Sequence, residues 1–498
     1  MVDAVASCRA FLAQRPDAAS IWVDLSRALL DDDRSEEALE ALDVGLAIDP
    51  SLVHGWLTRG ALCKALHRFD DAVDAFEQAD RLVPGKAAVL AALGTAHAEL
   101  GQLGAAEDCL RRAIARDPNR TEAHASLGSV HVRQGRFDLA EAACRRALEL
   151  SPDLAVAHRN LAGMLARTRP AEARAHRDWG YRRQQVFIAA ATRPRRTVLV
   201  LCGADATNVP LAYLLPRETC TLIKWFIEYA PPGQASTLPA YDFVFNGIGD
   251  ADFAAAAAVP MARFLADCRR PFLNHPARIA RTGRGDQGNL YAALAAVAVP
   301  RVLRLAPGED VARAMRSAGL EPPVIVRPIG SHGGEDARLI TSWADLEEGA
   351  GLHQGAYVTE FVDSRGADGL FRKYRAIFVD RAPYPYHLAV SHQWLVHYWT
   401  ADMPATAAYR EEEQRFLEDP EAAIGIPAMR ALTAIGARLD LDYAGIDFAI
   451  LPDGRLLVFE ANATMLVHAE ESEMFAYKNP AARRIRDAFE AMLDRLPG

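Results

Sequence analysis

The chain has 498 residues, 50% of them hydrophobic and 24% charged. That is enough apolar material for a few globular domains of about 100–200 residues each, and it excludes a disordered or low-complexity protein. The formal charge is −9, with both signs interspersed and no basic run to follow a phosphate backbone, so no nucleic-acid partner is expected.

The longest apolar stretches, around Ala254 to Ala262 and Leu290 to Pro300, are Ala-rich, broken by Pro and Arg, and far shorter than the roughly 20 residues that cross a bilayer. No membrane partner is expected. The first residues enter a helical pattern without a basic segment followed by an apolar one, which points to a cytoplasmic location. Cys8, Cys63, Cys109, Cys144, Cys202, Cys220 and Cys268 form no CxxC pair and have no His at zinc-ligand spacing, which disfavours disulfides and structural zinc. Lysines occur only at 64, 86, 224, 373 and 478, so a phosphate-binding site in this chain would draw on Arg.

The first third repeats itself at a shift of 34 residues. Trp22, Ser26, Ala38, Leu42, Gly45 and Pro50 are followed in register by Trp56, Gly60, Ala72, Phe76, Ala79 and Pro84. Leu90, Gly94, Ala106, Leu110, Ala113 and Pro118 come next, and then His124, Gly128, Ala140, Cys144, Ala147 and Pro152. A helical hairpin accounts for each choice: small residues let two helices approach, large ones fill the gap, and Pro ends the second helix. Ala4, Cys8, Phe11 and Pro16 fit the second half of a preceding unit. Ala155 to about Ala191 keeps helical composition with more Arg and His, as expected of helices capping a solenoid. These units resemble the tetratricopeptide repeat, which implies a groove for a peptide or protein partner. Arg59, Arg133 and Asn160 are candidates to line it, with solvated helix faces as the other reading.

Beyond Arg193 to Arg196 the pattern changes. Thr197 to Leu201 is a short apolar run of the kind that makes a buried parallel strand. Tyr241 to Asn246 and Pro271 to Asn274 read as further strands, with an Ala-rich helix between, giving a small open α/β domain. The turn Cys202-Gly203-Ala204-Asp205 lacks GxGxxG spacing and is no dinucleotide site. Val324 to Pro328 is a strand carrying Arg327 near its end. Gly330-Ser331-His332-Gly333-Gly334 follows, a turn whose backbone N–H groups can approach phosphate oxygens, or else a flexible hairpin. Ala356 to Val362 and Tyr374 to Val379 read as strands, and about Ala422 to Leu439 as one helix.

Gly445 to Asn462 (GIDFAILPDGRLLVFEAN) carries the most chemistry. Two strands joined by Pro452-Asp453-Gly454 bring Asp447 beside Glu460, and alternation sets Asn462 on the face of Glu460. Carboxylate and amide oxygens gathered so suit Mg²⁺, which completes its shell with phosphates and water. Asp453 is explained by solubility at a turn; Asp447, interrupting an apolar strand, is not.

From about residue 192 onward the chain resembles the ATP-grasp superfamily, in the branch of glutathione synthetase and the ribosomal-protein glutamate ligases. The likeness rests on VIVRP, the glycine-rich loop, YVTEFV, KYRAIFVD, GIDFAILPDG and FEAN in that order. The expected architecture is multidomain: an all-α solenoid with capping helices over 1–190, a pre-ATP-grasp α/β domain over 191–300, and an α/β ATP-grasp nucleotide-binding and catalytic domain over 301–498. The resemblance implies ATP and Mg²⁺ as cofactors, with metal at Asp447, Glu460 and Asn462. It places Arg284, Arg327, Gly330, Ser331, Gly333 and Gly334 on phosphate, Glu360 and Val362 on adenine and ribose, and Arg327 and Arg375 in catalysis, Arg375 on the transferred phosphoryl group.

The chain also departs from these relatives. Pro383 to Trp399 stands where glutathione synthetase has an Arg- and Gly-rich loop, and Gly445 where D-alanine ligases have an Arg, so neither substrate is expected. His387, His392 and His397 recur every five residues, fitting neither one helix face nor one strand face; they are core packing or contacts to substrate. The function expected is ATP-dependent ligation of a carboxylate to an amine through an acyl phosphate, with small-molecule amine or carboxylate partners. The alternatives are a nucleotide-sensing scaffold and a small-molecule kinase on the same fold.

Overall fold

The computed structural model describes residues 4–32, 34–166, 168–204, 208–329, 336–349, 355–398 and 400–497. The chain divides into two compact units, one comprising 1–195, 217–222 and 229–231, the other 196–216, 223–228 and 232–498.

The first unit is built from helices α1 (Ala4–Gln14), α2 (Ala19–Asp31), α3 (Ser35–Ile48), α4 (Val53–Ala65), α5 (Phe69–Leu82), α6 (Ala87–Glu99), α7 (Leu103–Arg116), α8 (Thr121–Arg133), α9 (Phe137–Leu150), α10 (Ala155–Leu165) and α11 (Pro170–Arg183), followed by the short strand β1 (Val186–Ala189). Consecutive helices from α2 pair as hairpins, and the 34-residue period explains how. A Cβ at Gly60, Gly94 or Gly128 would lie 2.5, 2.7 or 2.5 Å from Phe76, Leu110 or Cys144 on the paired helix, so the small residue is what allows the close approach. The hairpin turn passes through left-handed backbone at His67, Gly101 and Gly135, again 34 residues apart. A second contact recurs with the period in every unit except the one starting at α6, where Leu90 stands at the equivalent position. The indole N–H groups of Trp22 and Trp56 donate to the Pro16 and Pro50 carbonyls at 2.9 and 2.8 Å, and the ring nitrogens of His124 and His158 reach those of Pro118 and Pro152 at 2.9 Å each. The region from Ala155 onward thus continues the hairpins, α10 packing against α11 with Ala157, Leu161, Leu165 and Ala173 in its core.

In the second unit, β2 (Arg196–Cys202), β4 (Phe243–Asn246) and β5 (Phe272–Leu273) lie side by side and parallel, and β3 (Cys220–Phe226) belongs to this unit from Ile223 onward. Two antiparallel layers follow. One is ordered β7-β10-β8-β9, from β7 (Val302–Leu305), β8 (Val324–Pro328), β9 (Arg338–Ile340) and β10 (Ala356–Glu360). The other is ordered β12-β11-β13-β14-β6, from β6 (Val297–Ala298), β11 (Phe371–Val379), β12 (Ala382–Ser391), β13 (Tyr443–Ile450) and β14 (Leu456–Asn462), with β6 parallel to β14. The strands of the second layer are heavily buried, β13 almost along its whole length, as continuous apolar runs require.

Two sequence expectations need correction, and one segment left unassigned proves to be a strand. The single helix expected over Ala422 to Leu439 is two, Pro420–Ile424 and Ile426–Leu439, because Gly425 takes φ +84° between them and Pro427 restarts the helix in its first turn. The segment from Pro383 contains a full strand, β12. Its prolines are tolerated because β12 is the edge of its sheet, where a missing N–H costs no ladder bond. The strand expected over Ala356 to Val362 ends at Glu360, leaving Val362 beyond it.

Candidate functional site

Register places the site. Arg375 on β11 lies opposite Asp447 of β13 on one side and His387 of β12 on the other, and Asp447 lies opposite Glu460 of β14. The turn Pro452-Asp453-Gly454, with Gly454 at φ +84°, sets this last pairing locally. Arg327 is brought in from β8, and Arg284 from the segment after the helical turn at Ala280–Thr282.

These side chains surround one cavity of about 240 Å³. Arg284, Arg327, Glu360, Val362, Arg375, His387, His397, Asp447 and Glu460 all line it. Asn462 lies in a small adjoining cleft that shares Arg284 and Glu460 with the cavity. His392 is not brought to the cavity: it is exposed, 3.5 Å from the Tyr409 hydroxyl. Gly330, Ser331, Gly333 and Gly334 lie outside the described residues.

The Arg375 guanidinium grips both Asp447 oxygens, Nε to Oδ1 at 2.6 Å and Nη2 to Oδ2 at 2.9 Å, and Lys373 Nζ stands 3.4 Å from Oδ2. Burial alone would raise the Asp447 carboxyl, but Arg375 and then Lys373 outweigh it and hold the group far below the ordinary carboxylate range. Glu460 behaves alike: burial opposes its charge, Arg284 at 2.7 Å restores it, and the carboxyl stays ionised with its pKa lowered. Arg327 is pushed down, first by burial and then by the like charge of Arg284. His387 is buried, and burial followed by the neighbouring Arg375 keeps its imidazole neutral at physiological pH. Five cations, Arg284, Arg327, Arg372, Lys373 and Arg375, thus line a cavity that holds three carboxylates, Glu360, Asp447 and Glu460. Such a balance suits a polyanion.

Two carboxylates open on the same space, so the donor set fits a divalent cation shared with phosphate oxygens. Asn462 fits less directly. Its amide N–H donates to Glu460 Oε1 at 2.8 Å, and its oxygen accepts from the Thr464 N–H and hydroxyl, both at 2.9 Å. Among the described residues there is no group of three or more His, Cys, Asp and Glu placed to hold a metal.

Sequence reasoning missed Lys373 and the lining contributed by Phe361, Phe371 and Phe459. Alternation along KYRAIFVD could have found Lys373, two residues from Arg375 on the same strand face. The loop Trp394 to Tyr398 forms one wall.

The tetratricopeptide repeat family matches residues 3–52, 64–120 and 91–155, and the amino-terminal region carries these repeats. Solved structures that resemble the chain include MamA (22% identity, TM-score 0.29, covering 31% of this chain and 92% of that one). YrrB, described as a TPR protein with an unusual peptide-binding site, is 24% identical with a TM-score of 0.30, covering 36% and 92%. PilW, a widely conserved type IV pilus biogenesis factor, is 24% identical with a TM-score of 0.31, covering 33% and 77%. A comparison with curated proteins finds no match. Among the described residues, no helix is long and apolar enough to cross a membrane.

Proposed function

We propose that the second unit is an ATP-grasp domain and the chain an ATP-dependent carboxylate–amine ligase, with a peptide or protein held by the repeats. The observation that carries the reading is the convergence of Arg284, Arg327, Arg375, Asp447 and Glu460 on one cavity. The repeats support the second clause, since stacked helical hairpins build extended surfaces for protein or peptide partners.

The chemistry follows from charge. A carboxylate approaching the γ-phosphorus of ATP meets strong repulsion, which the fixed guanidinium groups of Arg327 and Arg375 offset without reorganising. Arg284 stands beside Glu460, where it counters charge on the outer phosphates. Mg²⁺ held by Asp447 and Glu460, with Asn462 beside them, would supply Lewis-acid charge to the phosphate oxygens. Glu360 and Val362, at the edge where β10 ends, would receive the adenosine. The acyl phosphate that forms is open to an amine and also to water, so the low exposure of Asp447 and His387 protects it.

Glu460→Gln preserves volume and removes one charge, and it should abolish Mg²⁺-dependent ADP release in protein verified as folded by circular dichroism. Near-normal ADP release would sink the metal assignment. With a substrate in hand, ¹⁸O-labelled carboxylate transfers label to inorganic phosphate in a ligase, whereas a kinase leaves the phosphoryl group on its product and a nucleotide-sensing scaffold releases none.

A further inference from the structure

The cavity extends along β11 from Arg375 toward Phe371, past the side chains placed on phosphate. Along β11, Phe371, Lys373 and Arg375 alternate onto one face and all three line the cavity. Its surface therefore passes from a guanidinium locked onto Asp447, through an ammonium, to an aromatic ring. Phe371 pairs with Ser391 at the end of β12, and the loop residues Trp394, Leu395 and Val396 that follow also line the cavity, while Tyr398 lines it beside His387. Val396 is buried, Trp394 meets Phe361 edge-on at 6.2 Å, and Tyr398 lies 5.0 Å from the His387 ring.

The cations of this stretch of β11 differ in what already holds them, Arg372 by alternation projecting from its other face. Arg372 is bound to Asp368 and Glu412. Arg375 takes both oxygens of Asp447 at hydrogen-bond distance, and Lys373 approaches the same carboxylate only at 3.4 Å. One carboxylate thus serves two cations, and Lys373 is the more weakly engaged. An ammonium that lines the same cavity as Phe371 and Trp394, and whose carboxylate partner is already committed to Arg375, is set to take a further anionic oxygen.

We propose that Lys373 is the specificity residue for the acid substrate, binding the carboxylate of a small molecule whose apolar, aromatic-sized tail packs against Phe371 and the Trp394 to Val396 wall. Naming this acid as the group activated rests on the ligase reading; the binding itself does not. The geometry fits one end of the ligand each: charge beside Arg375, where a phosphoryl group would be transferred, and apolar surface away from it.

Calorimetric titration of the full chain tests this with 3-phenylpropionate, its neutral amide 3-phenylpropanamide, and propionate, each with and without Mg²⁺ and the non-hydrolysable ATP analogue adenylyl imidodiphosphate. The acid should bind at least tenfold more tightly than the amide or propionate. Lys373→Met should bring it to the level of the amide, while Lys373→Arg keeps it within a few-fold. Trp394→Ala should weaken 3-phenylpropionate and leave propionate unchanged, an arm that holds even if Lys373→Met fails to fold. Equal affinity for acid and amide, or an acid affinity indifferent to Lys373→Met, overturns the inference. So does a loss of the ATP analogue as large as the loss of acid, which would put the ammonium on phosphate. Binding of the analogue without the acid likewise refutes the inference and spares the ligase reading, and binding of the acid without the analogue does the reverse.

Discussion

The two units solve the problem of close packing at different ranges. In the repeats, Gly128 faces Cys144 only 16 residues on, and the same arrangement recurs at Gly60 with Phe76 and Gly94 with Leu110. Each contact is fixed by its own 34-residue unit. In the second unit the contacts that matter cross far more chain. Arg375 reaches Asp447 over 72 residues, and Arg284 reaches Glu460 from outside the sheet altogether. The lesson is that a repeat spreads its stability over many equivalent small contacts, whereas the cavity concentrates buried charge in a few that have no duplicate.

That contrast sets the size of the effects expected. The largest belongs to Asp447→Asn. It leaves Arg375 and Lys373 side by side without the carboxylate they share, and removing one partner of a buried pair costs about 3–5 kcal/mol. Urea unfolding followed by tryptophan fluorescence should show the transition of the second unit moved to lower denaturant while the helical signal of the repeats keeps its own midpoint. A common shift of both transitions would mean that the two units unfold as one.

In the repeats a single kind of substitution should change sign with position. Gly128→Ala puts a Cβ 2.5 Å from Cys144 Sγ and forces two helices apart, costing about 1–3 kcal/mol. Gly104→Ala, on α7, meets nothing within 4 Å; there the methyl only stiffens the unfolded chain and favours helix, gaining roughly 0.5–1 kcal/mol. Thermal melts of the two variants against the parent protein would check both signs. Equal effects would show that the period does not mark contact positions.

How much of this could be read from the sequence follows the same division. The hairpins were legible because their partners lie within one period, and even the turn position at Gly101 and Gly135 repeats. The pairing of Asp447 with Glu460 was legible for the same reason, since a tight turn joins the strands. Alternation could place Lys373 on the face of Arg375, but its partner could not be read, because that depends on β11 pairing with β13 across 72 residues. His392 shares the spacing of His387 and His397 yet falls outside the cavity, since β12 ends at Ser391 and the strand period that placed His387 stops there. Gly425 broke a helix that composition alone joined, its left-handed φ being invisible in an otherwise helical run.

The smallest effect tests the repeat side of the comparison through pH. Glu107, on α7, is gripped by Arg136 two helices on, and also receives Gln134 Nε2 at 3.2 Å and Arg111 Nη2 at 2.8 Å. The Arg136 hydrogen bond is the main cause that brings its carboxyl down to about 2. A carboxylate whose pKa is lower folded than unfolded stabilises the native state above the unfolded value, and that stabilisation disappears as pH falls through the folded one. Arg136 and Arg111 keep 38% and 57% of their side-chain surface open to water, so solvent screening limits the gain to less than about 1 kcal/mol. Glu107→Gln should therefore melt slightly below the parent protein at pH 6, and the gap should close between pH 5 and about 2, where both lack the charge. A gap that persists at the acid end would assign the loss to packing of the α7 and α8 helices, and the inter-repeat ion pair would then carry no stability.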